Sequence, residues 1–477
     1  MSSSQVAKIF IPRGEFQTAG VEFAIDHPRG QINVDMGLGK TNMLLSAIAY
    51  GLMVCEDAPV LVIAPLRVAR NTWSDEAAKW THTDHLKVSA IIGSASEREA
   101  AIKAKADIYT VNYENLVWLC DYWGDKWPYR SVVADESTKL KSHRSHFRKT
   151  KSGESLVCTG GSRAAALAKV AFRKVKRWHN LTGTPTPNGL QELWGQYWFI
   201  DGGERLGRAY SSFERRWFQT DFNGFSLKAH DRAEGEIMAA IRDVTFTLRA
   251  SDYLELGKEI VNTIFVDLPP KAMAQYKQME KELYVELKDN DIEVFTAVAK
   301  SNKCHQMANG AVYYDKDGGF EMVHDAKLDA LQSVVEEANG TPVIVVYTFK
   351  ADLARLQKAF PKGKKFDQNP ETEKAFKRGE IPILFLHPDS AGHGVDGFQN
   401  VTNIICFFSV YWSGETRAQT IARIGAVRQL QAGFDRPVFI HQIIARGTID
   451  EDILDRIESK RTVEESLKRG LARRCRL

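Results

Sequence analysis

The chain has 477 residues, 44% of them hydrophobic and 26% charged, with a formal net charge of +4. That length exceeds what one hydrophobic core organises and suits two or three globular domains. No run approaches the roughly 20 apolar residues of a membrane-spanning helix. The segment Met1–Gln5 is not followed by an apolar secretory core, and the six cysteines form no C-x-x-C pair. These features argue against a membrane protein, a disulfide framework or a zinc ribbon, and place the chain in a reducing cytoplasm.

Short apolar runs bounded by turn residues open the chain: 31–36, 60–65, 88–93, 107–112, 131–136 and 179–184. Helical stretches lie between them, such as Thr41–Met53 and Ala69–Trp80. Val- and Ile-rich strands alternating with helices predict a parallel sheet covered on both faces. Residues 200–335 read differently, as charged amphipathic helices at 232–242, 270–289 and 324–338. The alternation returns at 343–348, 382–387, 403–408 and 438–444, and a charged helix begins at Ile449. The predicted organisation is a first α/β lobe over 1–200, a helical insertion over 201–335, a second α/β lobe over 336–446, and a brace helix over 447–477.

Residues 35–41 read DMGLGKT, between the first strand and the first long helix. Gly37 and Gly39 let the backbone curl so that successive N–H groups face phosphate oxygens, with Leu38 between them. The helix N-terminus adds its positive dipole end. Lys40 reaches the terminal phosphates and Thr41 offers a hydroxyl to Mg²⁺. The usual first glycine of this pattern is Val34 here. Asp135 and Glu136 end an apolar strand at the carboxyl edge of the predicted sheet, where ligands of such sheets bind. In a phosphate-loop ATPase the first acid holds the metal and the second polarises water.

From Lys139 to Arg177 twelve Lys and Arg face one acid, Glu154. Such a run attracts phosphate backbones or forms a solvated face. His143 and His146 have no third metal ligand and read as polar or DNA-facing surface. Cys304-His305 reads as helix packing, and the aromatics of 113–129 as packing rather than base stacking.

Seven further blocks appear in order: RGEFQTAGV from Arg13, VLVIAPLRVARNTWSDEAAKW from Val60, TVNYENL from Thr110, DESTKLKS from Asp135, LTGTPTPNGLQELW from Leu181, SAGHGVDGFQN from Ser390 and QTIARIGAVRQ from Gln419. Together they resemble the superfamily-two helicase-like ATPases, above all the Swi/Snf branch in its compact bacteriophage-encoded form. The resemblance implies two RecA-like parallel-sheet lobes (a P-loop NTPase fold), ATP and Mg²⁺ as cofactors, and movement along double-stranded DNA. Other phage or host DNA-processing proteins are further expected partners. It implies Gln17 as reader of the adenine edge. Gly37, Leu38, Gly39, Lys40 and Thr41 match the phosphate site, with Thr41 and Asp135 on the metal and Glu136 as catalytic acid. Pro65, Leu66, Arg67, Asn112 and Tyr113 fall where the first lobe touches a nucleic-acid backbone. Thr182 and Thr184 fall in the coupling motif. Ser390, Gly392 and Gly394 fall where the second lobe meets DNA and the nucleotide cleft. Two departures stand out. Ala426 occupies an expected arginine position, leaving Arg423 and Arg428 as candidates for the finger. Ser137 and Thr138 stand after the acids, where the family has a histidine. A strand-separating helicase and a slowly hydrolysing nucleotide switch are the alternatives the motifs leave open.

Overall fold

The computed structural model describes residues 15–459 apart from 36, 56–58, 151–152, 184, 187–188, 221–226, 251–256, 290–293, 315–318, 368 and 392–395. Two compact units divide the chain, one through Leu254 and the other from Glu255.

The first unit is built on seven strands, all parallel. In spatial order they are Thr245–Leu248, Arg29–Val34, Arg177–Thr182, Ser131–Asp135, Val60–Ala64, Ile108–Asn112 and Val88–Ile91. The central strands are buried from end to end, as strands covered by helices on both faces must be. One face packs Leu61, Ile63, Val132, Ala134 and Trp178 against Trp194 and Phe199 of the helix Gln191–Asp201.

The second unit carries six parallel strands in the order Glu259–Val266, Val438–Ala445, Ile404–Phe407, Val343–Val346, Ile383–Leu386 and Lys364–Lys365. Its strand residues alternate between two cores. Ile344, Val346, Leu384 and Ile405 join one, while Val343, Val345, Ile383 and Cys406 join the other. Two parallel, helix-covered sheets are the two RecA-like lobes that the sequence predicts.

The separate helical insertion over 201–335 does not match this division. Thr245–Leu248 extends the first sheet by pairing with Gln31–Val34, and Glu259–Val266 pairs along its whole length with Val438–Ala445. The segment is therefore shared between the units, because each sheet draws an edge strand from it. The basic run also holds a two-stranded antiparallel ribbon, Arg144–Thr150 with Gly153–Thr159, rather than only loop and helix. The helix expected as a brace, Ile449–Ser459, is anchored in the second unit, where Ile449 and Ile453 pack with Leu268 and Tyr276. Among the described residues no helix is long and apolar enough to cross a membrane.

His143 is not surface. It is fully buried, with its ring 5.6 Å from the Trp194 ring and 4.2 Å from the Trp198 ring. Burial, with Arg144 adding to it, drives its pKa down to about 3. His179 falls from its ordinary 6.5 to about 4, first through burial and then through Arg177 and Arg29. A histidine held neutral in the fold but protonated when unfolded contributes stability that is complete above pH 6.5 and fades as pH falls toward 4. Each contributes a loss of about 2 kcal/mol by pH 5. The Asp135 carboxyl, raised to about 6, works the other way and offsets about 1 kcal/mol. A net loss of about 2–3 kcal/mol between pH 7.5 and pH 5 is expected for the first unit. Urea titrations followed by tryptophan fluorescence read this unit, since nine of the ten tryptophans precede residue 254. Equal stability at the two pH values would contradict neutral buried histidines.

Candidate nucleotide site

The phosphate loop is fixed by its ends. The buried strand Arg29–Val34 delivers Asp35, whose N–H donates to the Leu248 carbonyl at 3.1 Å. The Asp35 carboxylate accepts the Ala250 N–H at 2.9 Å. The Leu38 N–H returns to the Asp35 carbonyl at 3.3 Å, and the helix Lys40–Cys55 begins at once. Gly37 and Gly39 have φ of 88° and 84°, the left-handed region that favours glycine. At Gly39 a Cβ would also lie 2.6 Å from Gln17 Nε2. Gln17 is buried, and its amide donates to the Leu38 carbonyl at 3.0 Å, so it braces the loop from the helix Glu15–Asp26. Lys40 and Thr41 lie half-buried in the first turn after the loop.

The acid pair lies at the carboxyl end of the central strand Ser131–Asp135. Asp135 is 7% exposed, and its Oδ2 accepts the Trp73 indole N–H at 3.1 Å. Burial, together with the adjoining Glu136 carboxylate, raises the Asp135 pKa to about 6, against the pull of Lys40 and Trp73. Lys40 thus lies within electrostatic reach of this carboxyl. Glu136 adopts φ 57°, ψ 57°, a conformation that costs a non-glycine residue about 1–2 kcal/mol. Its neighbours hold it there. The Tyr113 hydroxyl donates to the carbonyls of Asp135 at 2.9 Å and Glu136 at 3.2 Å, and the Lys139 N–H donates to the Glu136 carbonyl at 3.0 Å.

Backbone N–H groups at a curled loop, a helix N-terminus and Lys40 form an anion site for a polyphosphate. The Thr41 hydroxyl and Asp135 carboxylate are hard oxygen donors that suit Mg²⁺. Among the described residues no three His, Cys, Asp or Glu form a metal cluster.

The remaining expected residues are distributed as follows. Tyr113, expected at a nucleic-acid backbone, is 2% exposed and committed to the acid-pair turn. Asn112 is also buried, donating to Glu114 at 2.8 Å and accepting from Asn115 at 2.7 Å. Pro65 and Arg67 are half-buried around the exposed Leu66. There a helix begins and runs through a π-type turn at Val68–Thr72 into Trp73, the residue on Asp135. Thr182 is buried at the end of its strand. In the second unit Arg423 lies half-buried between the helices Gly414–Ile421 and Ala426–Gln431. The Arg428 guanidinium pairs with Asp396 at 2.7 Å. Ala426 is buried, with its N–H on Glu259 Oε1 at 3.2 Å, so an arginine side chain at this position would meet packed neighbours. Ser390 lies in the short helix Pro388–Ala391. Thr184, Gly392 and Gly394 lie outside the described residues. Sequence reasoning missed the role of Trp73, although it stands inside the block that starts at Val60.

A family model described as the SNF2-related domain matches residues 16–317. The chain belongs to the SNF2-related family. It is 48% identical to protein p41 of Acyrthosiphon pisum secondary endosymbiont phage 1, over 98% of this chain and 100% of that protein. It is 24% identical to the Bacillus subtilis (strain 168) protein YwqA, named for an ATP-dependent helicase/translocase, over 91% of this chain and 46% of the relative. The uncharacterized ATP-dependent helicase MG018 of Mycoplasma genitalium is 23% identical over 92% of this chain and 40% of its own length. The chain thus spans the whole of the phage relative and less than half of the two bacterial ones. Among solved structures, the Sulfolobus solfataricus SWI2/SNF2 ATPase core in complex with dsDNA matches with a TM-score of 0.42 at 21% identity, covering 93% of this chain and 90% of that one. The ATP-dependent helicase names of the two bacterial relatives support ATP use and ATP hydrolase activity in general.

Proposed function

We propose that this SNF2-related chain is a DNA-stimulated ATPase that moves along double-stranded DNA. The observation that carries the reading is the phosphate loop and the acid pair, with Asp135 buried, at the carboxyl edge of a single parallel sheet, where Lys40 acts on the Asp135 charge. Gln17 reads the adenine edge, while Gly37, Leu38, Gly39 and Lys40 hold the phosphates. Asp135 and Thr41 would hold Mg²⁺, which would supply charge neutralisation on the terminal phosphates. Glu136, fixed in its left-handed turn, orients and deprotonates the attacking water.

Arg423, which keeps the place of the first arginine in the motif the chain resembles, is the proposed finger, with Arg428 as the alternative. Arg423→Ala is expected to lower ATP turnover by about 10³-fold, as loss of a charge on the transferring phosphoryl does. Arg428→Ala is expected to cost much less. A reversed order in a steady-state ATPase assay would move the finger to Arg428. Pro65, Arg67, Ser390, Gly392 and Gly394 grip the nucleic-acid backbone, and Thr182 and Thr184 pass the nucleotide state to that grip. A step requires that each lobe's affinity for the backbone differ between nucleotide states.

The helicase/translocase name of the Bacillus relative supports a motor, and the resemblance of the ordered motifs to the Swi/Snf branch supports duplex DNA as its track. The test is displacement of a third strand from a triplex. Release that needs ATP, with an ordinary duplex left paired, is the expected result. Separation of the duplex would assign a strand-separating helicase. Tight ATP-dependent DNA binding with no displacement would assign a nucleotide switch.

A further inference from the structure

Gln196 is a polar residue on the sheet-facing side of the helix Gln191–Asp201, fully buried where packing alone favours an apolar side chain. Its contacts explain it. The hydroxyl of Ser137, the residue directly after Glu136, donates to Gln196 Oε1 at 2.9 Å. Gln196 Nε2 donates to the Pro185 carbonyl at 2.8 Å and to the Glu192 carbonyl at 3.1 Å. Both N–H groups of the amide and its oxygen are thereby used. Asn180 closes the network, donating to the Gln196 carbonyl at 2.9 Å and to Gln31 Oε1 at 3.0 Å, while Gln31 Nε2 lies 3.5 Å from Ser137 Oγ. Gln31 is on the strand that feeds the phosphate loop, and Asn180 is on the strand that feeds the LTGTP segment. The Gln196 amide therefore joins Ser137 to Pro185, and Asn180 and Gln31 extend the network to the strand that feeds the phosphate loop.

We propose that Gln196 is a positioning residue for ATP hydrolysis, tying the acid-pair turn to Pro185. The proposal rests on reading Glu136 as the catalytic acid and 181–185 as the coupling segment. An amide accepts at one end and donates at the other, so it fixes the spacing between the Ser137 hydroxyl and the Pro185 carbonyl. A network satisfied at every member in a dry interior is stiff, and a catalytic carboxylate must be held to about 0.5 Å. Ser137 stands where this chain departs from the family's acid box. The relay here runs through a side chain outside every motif the sequence offered.

Gln196→Met keeps the side-chain volume and removes both ends of the tie. The expected result is a fall in kcat for ATP of about tenfold or more, as displacement of a catalytic group by a fraction of an ångström to 1 Å produces. KM for ATP should stay within about twofold, since the phosphate loop is untouched. Ser137→Ala should give the same split, and the double variant should be no slower than the slower single, because both cut one connection. Gln196→Glu adds a pH signature. A buried glutamic acid can still donate to Pro185 while protonated, so its turnover relative to the parent should recover as pH falls. Parental kcat in Gln196→Met, or multiplied losses in the double variant, would overturn the proposal. So would a loss that disappears once activity is counted per folded molecule. Glu136→Gln run beside these separates the two readings. If it turns over ATP at the parental rate, the site assignment itself fails. If it is inactive while Gln196→Met is normal, only the positioning role fails.

Discussion

Glu136→Gln is expected to reduce ATP turnover by about 10²–10⁴-fold, the usual worth of a positioned general base, while leaving ATP binding intact. The reason lies in where the residue sits. Asp135 is buried, and its pKa answers to that burial, to Glu136 and to Lys40. Glu136 follows it in a strained turn held by Tyr113 and by the Lys139 amide. Replacing its carboxylate by an amide keeps that turn and its shape but removes the base. Lys40→Ala should behave differently, weakening ATP binding as well as turnover, because the proposed site has its ammonium on the phosphates in the ground state. Fluorescent-nucleotide binding beside steady-state hydrolysis separates the two variants. Turnover in Glu136→Gln within a few-fold of the parent would place the base elsewhere.

Lys327→Met is expected to cost the second unit about 3–5 kcal/mol, the range for removing one partner of a buried ion pair. Lys327 and Asp450 are both 0% exposed with their charges 2.6 Å apart. The ammonium also donates to Asn309 Oδ1 at 2.7 Å, and Asn309 in turn donates to Asp352 at 3.0 Å and Ser409 at 2.8 Å. Asp450 is the second residue of the helix Ile449–Ser459, so this pair ties that helix into the core of the unit. Without Lys327, Asp450 keeps the Ala445 N–H at 3.0 Å but loses its counter-charge in a dry interior. Peptide-resolved hydrogen exchange should show lost protection in 326–337 and 449–459 first. Lys327→Met combined with Asp450→Leu should recover much of the loss, since an apolar pair of similar volume often replaces a buried ion pair at little cost. Unchanged protection in the single variant would contradict a formed pair.

Much of the fold was legible because its central strands are continuous apolar runs. VLVIA and VIVV can only be buried on both faces. The edge strands were not legible. Glu259–Val266 is largely exposed, and its pairing with Val438–Ala445 depends on a partner 179 residues away, at Asn262 and His441. The phosphate loop and the acid pair were readable because their geometry is local, a turn between a strand and a helix. The supports of the acid pair were not. Trp73 and Tyr113 reach it from other strands and helices, and a buried hydroxyl on a carbonyl leaves no trace in a sequence pattern. The basic run misled in part for the same reason. Lys141 pairs with Glu192, Arg163 with Glu114, and Arg144, Lys174 and Arg177 donate to backbone carbonyls. A share of that charge is thus used inside the fold.

The measurement that bears most directly on the central claim is steady-state ATP hydrolysis by the full chain with no nucleic acid, single-stranded DNA, double-stranded DNA and RNA, with Glu136→Gln as the blank. The account predicts strong stimulation by duplex DNA that vanishes in the blank. No stimulation by any of the three nucleic acids, in protein that is folded and binds ATP, would contradict it.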